Sequence, residues 1–336
     1  MQGDCDSNAS HSGKHAMSTY DPDALECLAA IVEEGGFERA ALRLSITQSA
    51  VSQRLRSLES QVGTVLIVRS RPLRATSAGR LLLKHTKMLR LLRADLERDL
   101  RDLAPGAAAS GGAREEERVA IAINADSIAT WALPALTALA RQGLAMEIIA
   151  DDQDFTQEWL REGQVLGCVT TLKQALRGCK MVPLGAMDYV AVATPDFAQA
   201  RLAAPQGSVR AGSVGAATPQ LTAHNFSTVP FIAFNRKDDM QTEFVGKAFG
   251  LQRVTLNQLF VPSSEGQMRA VLAGWGVSVV PRLLTEGLMQ QGTLVDVAPR
   301  YSLPIQLYWH CWNLESEVLD ALTSAIKGAA ALSLTL

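Results

Sequence analysis

Leucines recur at seven-residue intervals in the first third of the chain, with one further leucine three residues after the second: Leu82, Leu89, Leu92, Leu96 and Leu103. Thr76–Gly79 precedes this stretch with residues that favour a helix start. A sustained seven-residue repeat is typical of a seam between two helices. The pattern therefore predicts a linker helix over 77–104 that pairs with a second copy in a homodimer. The alternative is a helix that packs on its own domain.

The charge of the chain is unevenly distributed. The net charge is -2, yet the segment 36–93 carries twelve lysine or arginine side chains against two glutamates, a local net charge of +10. Such a local excess is expected where a protein contacts phosphate groups. On charge alone, a solvated basic face would be the preferred explanation.

Three short helical patterns lie within this region, over about 25–32, 37–44 and 47–62, and two β-like runs follow at 65–68 and 73–76. In the third pattern, apolar residues fall on one stripe, whereas the opposite face holds amides, hydroxyls and one guanidinium. Those groups hydrogen-bond base edges and phosphates. Residues 18–76 are therefore predicted to be a winged helix-turn-helix domain. The predicted DNA contacts are Thr47, Gln48, Ser49, Ser52, Gln53, Arg54, Arg56, Arg69, Arg71 and Arg74.

The second half of the chain has a different pattern. Small residues and then charges make 105–117 a predicted flexible linker. From 118 to 336, apolar runs of strand length alternate with helical patterns, which is typical of a mostly parallel sheet. We expect strands over 118–124, 145–150, 165–170, 189–194, 231–234, 253–261, 277–280 and 305–311.

Several classes of protein are not expected. The sequence contains no run of 18 apolar residues, so no membrane span is predicted. Residues 1–17 lack the apolar core of a signal peptide and are predicted to be a disordered tail. Five cysteines without C-x-x-C spacing indicate free thiols in the cytoplasm. The sequence has no glycine-rich phosphate loop, no metal-ligand cluster and no nucleophile elbow, so neither an enzyme nor a cofactor is expected.

One long motif carries a family resemblance. The stretch FERAALRLSITQSAVSQRLRSLESQVGTVLIVR, residues 37–69, resembles the DNA-binding domain of LysR-type transcriptional regulators. The stretches INADSIATW, VLGCVTT, VPSSEG and GWGVSVVP resemble one branch of that family, the ArgP, IciA and LysG branch that controls export of basic amino acids. Ser49 departs from the wider family, where proline is common, and should start the helix without strain.

The resemblance implies a fold and a mechanism. The N-terminal part would be an all-α winged helix-turn-helix followed by the linker helix. Residues 118–336 would be an α/β effector domain of the periplasmic-binding-protein type (type 2), with lobe one over 118–193 and 301–336 and lobe two over 194–300. Dimers would place two recognition helices in successive major grooves of double-stranded DNA. A homotetramer would bend that DNA, and an effector would change the bend and the contact with RNA polymerase.

Three stretches, 124–127, 170–171 and 262–265, lie where ligands bind in such sheets, which is beyond the carboxyl ends of strands and at helix N-termini. The predicted effector-binding residues are Asn124, Asp126, Ser127, Thr130, Thr170, Thr171, Phe234, Asp238, Ser263, Ser264 and Glu265. Helix amides and serines would hold an α-carboxylate, and the three acids would face an ammonium or guanidinium group. Together with the branch resemblance, these groups imply lysine or arginine as the effector. For any single residue, simple helix capping is at least as good an explanation.

Two other functions remain open at this stage. An amino-acid-binding solute receptor would explain 118–336 but would need a signal peptide and leaves the basic N-terminal domain without a role. A replication-origin or nucleoid-type DNA binder would explain the basic domain. Genome-wide binding distinguishes that binder from a regulator of a few promoters.

Overall fold

The computed structural model describes residues 20–70, 73–103, 118–151, 156–203 and 219–335. Within it the chain divides into two compact units, Met1–Arg90 and Leu91–Leu336, which are taken in turn. The predicted tail over 1–17, the predicted DNA contact Arg71 and the predicted linker over 105–117 lie outside the described residues.

The N-terminal unit is a three-helix domain with a two-stranded wing. Its elements are α1 (Pro22–Glu33), α2 (Phe37–Arg43), α3 (Gln48–Val62), β1 (Ile67–Val68), β2 (Arg74–Ala75) and the start of α4 (Ser77–Leu103). β1 and β2 pair antiparallel. These elements confirm the three helices and the hairpin that the sequence predicts.

Local residue chemistry sets the ends of α3. Thr47 precedes the helix in an extended conformation, and its hydroxyl accepts a hydrogen bond from the Ala50 amide at 3.2 Å. Gly63 ends the helix with φ +79°, a left-handed conformation that favours glycine. Glu59, near that end, accepts a hydrogen bond from the Leu66 amide at 2.9 Å and so connects α3 to the segment leading into the wing.

The core of this unit forms from one face of each helix. Its largest fully buried side chains are Leu28, Ile31, Leu55, Leu58 and Leu66. Because Val51, Leu55 and Leu58 on one side of α3 are buried in this core, the opposite face of α3 is left for contacts outside the domain.

The long helix α4 covers the stretch predicted as the linker helix, and its leucines fall into two groups. Leu82 is buried in the core of the N-terminal unit. Leu89, Leu92, Leu96 and Leu103 are exposed by 40%, 40%, 56% and 81%. Leu82 is thus engaged within its own subunit, whereas the four later leucines form an exposed apolar stripe, called here the leucine stripe.

The C-terminal unit contains a seven-stranded sheet. Its strands are β3 (Val119–Asn124), β4 (Met146–Asp151), β5 (Gly167–Thr170), β6 (Cys179–Ala193), β9 (Ser278–Pro281), β10 (Val295–Asp296) and β11 (Leu303–Trp312). The order is β10-β6-β11-β5-β3-β4, with β9 also paired to β6. A separate parallel pair is formed by β7 (Pro230–Ala233) and β8 (Asn257–Phe260).

Helices pack around these strands. They are α5 (Ala125–Ser127), a π-helical segment (Ile128–Ala132), α6 (Leu133–Arg141), α7 (Thr156–Arg161), α8 (Pro195–Leu202), α9 (Met240–Phe249), α10 (Ser264–Leu272), α11 (Arg282–Gln290) and α12 (Glu317–Ser333), with a short 3₁₀ turn at Phe226–Thr228. β5 and β9 are buried at every position, as expected for strands covered on both faces. Among the described residues, no helix combines the length and the apolar content that a membrane span requires.

The strand β6 divides this unit into two lobes. Its residues 179–189 pair with β11, while Tyr189–Val192 pair with β9 and the last two residues pair with β10. Lobe one therefore contains β3, β4, β5 and β11, and lobe two contains β7 to β10. This arrangement confirms the predicted two-lobed effector domain, with β6 as the strand that passes from one lobe to the other.

Some elements differ from the sequence prediction. β6 begins at Cys179, ten residues before the predicted start at Tyr189. The sequence prediction missed its first part because Pro183 and Gly185 interrupt the apolar pattern. In the structure β11 pairs across both residues, with a bulge at Leu307/Tyr308. One of the helical patterns of the second half, over 127–140, corresponds to a helical stretch that begins earlier, at Ala125, and contains the π-helical segment. The helices α8 and α11 were not predicted, although Thr194 followed by Pro195 is a favourable helix start for α8.

Candidate functional site: the recognition helix and the interlobe site

Most of the predicted DNA-contacting residues lie on α3 or directly before it. Thr47, Gln48, Ser49, Gln53 and Arg56 are exposed on its outer face. The Thr47 and Ser49 hydroxyls lie 2.9 Å apart, which fixes the first turn. Ser52 is half-buried on the same helix. This face presents amides, hydroxyls and a guanidinium without a carboxylate, the groups that read base edges and bind phosphates.

The other predicted arginines have different surroundings. Arg54 forms an ion pair with Asp23 at 3.0 Å, and another of its nitrogens lies 4.0 Å from the Cys27 sulfur, so it links α3 to α1. Arg69 lies over the Phe37 ring, 5.4 Å from the ring centre. Arg74 is exposed on β2. Of these three predicted contacts, two therefore also have partners inside the domain.

Asp126 is at the centre of the second site. It lies in α5, two residues after the end of β3, and its two carboxylate oxygens accept hydrogen bonds from two different parts of the unit. The Tyr189 hydroxyl, on β6, donates to Oδ2 at 2.7 Å, and the Ser264 hydroxyl, at the start of α10, donates to Oδ1 at 2.5 Å. Since Asp126 belongs to lobe one and Ser264 to lobe two, one carboxylate connects the lobes. Asp126, Tyr189, Asp238 and Ser264 are called here the interlobe site.

The surroundings of Asp126 disfavour the negative charge of its carboxylate. Burial raises the pKa of Asp126, and the two hydroxyl hydrogen bonds oppose that shift by stabilising the carboxylate. The nearby negative charge of Asp238 raises the pKa of Asp126 further. The negative charge of Asp126 is thus disfavoured both by desolvation and by a second acid, which is a favourable environment for a bound cation.

Two further polar atoms near Asp126 have no protein partner. Asn124 and Ser127 are 2% and 0% exposed, yet Asn124 Oδ1 and Ser127 Oγ make no hydrogen bond among the described residues. Buried polar atoms normally have partners, so such atoms indicate a place for a ligand or for water. They lie where β3 runs into the continuous helical stretch 125–141, whose free N-terminal amides favour an anion.

The π-helical segment follows directly after these residues. Thr130 lies within it and donates a hydrogen bond to the Asp126 carbonyl oxygen at 2.7 Å, while the same hydroxyl lies 3.9 Å from the Met187 sulfur. π-helical turns occur most often at functional sites. Here the wider turn begins just after Asp126 and Ser127.

Lobe two contributes the residues at the ends of β7 and β8. Both carboxylate oxygens of Asp238 accept backbone hydrogen bonds, from the Phe234 amide at 2.8 Å and the Met240 amide at 2.9 Å, which fixes the loop before α9. Ser263 caps α10 by accepting a hydrogen bond from the Gly266 amide at 3.1 Å. Glu265 is exposed in the first turn of α10.

The remaining predicted residues are at the end of β5. Thr170 is fully buried, donates to the Gln157 side-chain oxygen at 3.0 Å and accepts from the Leu172 amide at 3.3 Å. Thr171 is half-exposed beside it. The hydroxyl of Thr170 is therefore already engaged within lobe one.

The sequence prediction omitted Tyr189 and Met187. Tyr189 lies at the start of a predicted strand, and nothing in an alternation of apolar residues marks its hydroxyl as the partner of an aspartate 63 positions earlier. Met187 is buried two residues before it on β6.

Together, a helix-turn-helix with an exposed polar recognition face and a two-lobed α/β domain with an interlobe site define a ligand-responsive DNA-binding regulator. Residues 22–80 match the family model described as a bacterial regulatory helix-turn-helix protein of the lysR family, and residues 112–331 match the LysR substrate binding domain. The chain belongs to the LysR family of transcriptional regulators, and it is a regulator, not an enzyme.

Similar proteins identify the branch of the LysR family. The chain is 36% identical over 315 residues to the transcriptional regulator ArgP of Pseudomonas aeruginosa PAO1, covering 94% of this chain and 97% of that protein. It is 37% identical over 310 residues to LysG of Mycobacterium tuberculosis H37Rv, covering 92% and 93%. These relatives confirm the ArgP/LysG branch to which the sequence motifs pointed.

Solved structures agree in fold. ArgP from Mycobacterium tuberculosis matches with a TM-score of 0.77 at 36% identity, over 94% of this chain and 99% of that one. Full-length LysG from Corynebacterium glutamicum with the bound effector Arg matches with a TM-score of 0.69 at 32% identity, over 94% and 100%. The two-domain architecture is therefore that of ArgP and LysG.

Proposed function

We propose that this regulator responds to lysine or arginine, bound at the interlobe site, and activates transcription of a gene for export of that amino acid. The observation that carries the proposal is the Asp126 carboxylate, which is held between the Tyr189 and Ser264 hydroxyls and has a second acid, Asp238, near enough to raise its pKa. A buried carboxylate without a cation is costly, and a cationic ligand removes that cost. The bound effector Arg of the C. glutamicum LysG structure supports the same ligand class.

The groups around Asp126 suit both ends of such a ligand. The helix amides that follow Asn124, together with the Ser127 hydroxyl, suit an α-carboxylate. Asn124 Oδ1, an acceptor without a partner, suits the α-ammonium. Asp126, Asp238 and the exposed Glu265 suit the cationic tail, and neutral or acidic amino acids lack the group that would pair with these acids.

DNA recognition is proposed to use the exposed face of α3 in the major groove of double-stranded DNA, with Arg69, Arg71 and Arg74 of the wing beside it. The leucine stripe of α4 is proposed to pair with its counterpart in a homodimer, and two dimers to form a homotetramer. Leucines exposed by 40% to 81% along one helix support such a seam. Through the bound DNA, the effector would alter contact with RNA polymerase.

Titration calorimetry of the full chain tests the effector. Lysine or arginine is expected to bind far more tightly than leucine or glutamate. Removal of a charge that pairs with a buried cation costs about 2–5 kcal/mol, so an amino acid without a cationic tail should bind at least about thirtyfold more weakly. Preference for leucine or glutamate would refute the cationic effector.

Genome-wide binding tests the regulated gene. We expect occupancy at a few promoters, one of them beside a gene for an amino-acid exporter, with transcription from it rising when lysine or arginine is added. Occupancy at the replication origin, or dispersed along the chromosome, would favour an origin or nucleoid role instead.

A further inference from the structure

The hydrogen bond between Asp126 and Ser264 joins two residues 138 positions apart in the sequence. Asp126 follows β3 in lobe one, and Ser264 is the first residue of α10 in lobe two. Ser264 is 3% exposed, so this contact is shielded from water. A direct bond from a hydroxyl to a buried carboxylate is one of the stronger hydrogen bonds in a protein.

We propose that this contact is an interlobe bridge that opposes effector binding, because the cationic group of the effector must take the place of Ser264 on Asp126 Oδ1. Tyr189 stays on Oδ2 in both states and keeps the carboxylate oriented. The proposal rests on the proposed function, since it concerns the same ligand class. It adds that, without a ligand, the Asp126 carboxylate already has a hydrogen-bond partner in lobe two, the Ser264 hydroxyl.

The neighbouring groups favour an exchange over a shared contact. Oδ2 is occupied by Tyr189, and Asp238 uses both of its carboxylate oxygens for the Phe234 and Met240 amides. Each Asp126 oxygen thus accepts from one hydroxyl, and the Oδ1 partner, Ser264, is the one that belongs to a helix of lobe two. A neutral ligand gains less from displacing that hydroxyl than a cation gains, so the exchange also contributes to selectivity.

The first experiment compares arginine and lysine binding to the wild-type chain and to Ser264→Ala by calorimetry. Alanine is well tolerated at the first position of α10, and the cap of that helix is provided by Ser263. If the bridge opposes binding, Ser264→Ala binds the effector about tenfold more tightly, the typical worth of a hydrogen bond to a charged group. Unchanged or weaker binding would overturn the proposal.

A matched control is Ser316→Ala. Ser316 caps α12 by accepting a hydrogen bond from the Leu319 amide, which makes it a buried serine at a helix start on an element outside the interlobe site. Its removal should lower stability while leaving effector affinity unchanged. An equal gain of affinity in this control would indicate general loosening and would also overturn the bridge.

The second experiment needs no ligand. All five tryptophans of the chain, Trp131, Trp159, Trp275, Trp309 and Trp312, lie in the C-terminal unit, so tryptophan fluorescence of the full chain follows the unfolding of that unit alone. In a double-mutant cycle of Asp126→Ala and Ser264→Ala, a bridge makes the effects on the unfolding equilibrium non-additive by about tenfold. Additive effects would overturn the bridge.

The two experiments separate the two proposals. If the wild-type chain binds neither arginine nor lysine, the proposed function fails, and the cycle in the ligand-free protein still decides whether the bridge exists. If the wild-type chain binds them and the cycle is additive, the function stands and the bridge fails.

Discussion

Replacing Asp126 by asparagine removes a negative charge while keeping a hydrogen-bonding side chain of the same shape. The carboxamide oxygen still accepts from Tyr189, and the amide group still reaches Ser264. Any change in effector binding therefore reports the charge and not the loss of the whole side chain. Asp239→Asn is the matched control, since Asp239 is an exposed carboxylate next to Asp238 in the sequence.

The expected loss of affinity follows from the surroundings of the carboxylate. Asp126 is desolvated, so the effector cation would lie in a place where water cannot replace the missing charge. Truncating one partner of such a pair costs about 2–5 kcal/mol. Affinity for arginine and lysine should therefore fall by at least about thirtyfold in Asp126→Asn.

The ligand-free protein should respond in the opposite direction. The pKa of Asp126 is raised in the folded state, so the folded state binds this proton more tightly than the unfolded chain does. The contribution of Asp126 to stability is thus present at low pH and is lost as pH rises through the raised pKa. At neutral pH, Asp126→Asn should unfold at a higher temperature than the wild type, and the difference should shrink as the medium is acidified below that pKa.

Calorimetry with arginine and lysine measures the affinity, and tryptophan fluorescence at a series of pH values measures the unfolding temperature. Asp239→Asn should match the wild type in both. If Asp126→Asn keeps full affinity for arginine and lysine, the acid is not the receptor of the cation. If it is less stable than the wild type at neutral pH, the reasoning from burial is wrong.

Three further predictions concern the other parts of the chain. Gln53→Ala and Arg56→Ala should each weaken operator binding by about 1–3 kcal/mol in a salt series of mobility-shift titrations without changing the oligomer; wild-type affinity in both would refute the recognition face. Leu96→Asp should dissociate the oligomer in sedimentation, because a carboxylate at a seam position is buried without a partner; an unchanged sedimentation coefficient would refute the seam. Gly79→Ala should lower the unfolding temperature of the N-terminal unit, because a β-carbon there would lie 2.2 Å from a backbone carbonyl oxygen, whereas Gly287→Ala, in the open helix α11, should not.

Local patterns predicted the N-terminal unit well. The threonine that caps α3, the apolar stripe that follows it and the glycine that ends the helix are signals carried by residues close together in sequence. The linker helix was also predicted from its own period. Such elements depend on near neighbours, so a single sequence contains the information that specifies them.

The partner of each surface residue was harder to predict. Leu82 belongs to the same seven-residue repeat as Leu89, yet it is buried in the N-terminal core. Arg54 is on the recognition helix, yet it pairs with Asp23 on α1. The helical period gives the direction in which a side chain points around the helix axis. The residue that this side chain contacts depends on how other elements pack against the helix.

The interlobe site lay partly beyond prediction for the same reason. Asp126 and Ser264 were expected because each follows a strand at a helix start, which is a local signal. Their direct contact, and the role of Tyr189, depend on β6 passing between lobes and on pairings between residues 63 and 138 positions apart. No spacing within one sequence encodes such distances.

The region around Asp126 is poorly explained as a device for stability. Within four residues it holds a buried carboxylate with a raised pKa and two buried polar atoms without partners among the described residues, Asn124 Oδ1 and Ser127 Oγ. Apolar residues of similar size at these positions would avoid all three costs. A folded protein tolerates such costs where a ligand removes them. Under the proposed function, the features that disfavour the Asp126 charge would provide free energy for binding a cationic amino acid, and the Ser264 hydroxyl would limit that cost in the ligand-free protein.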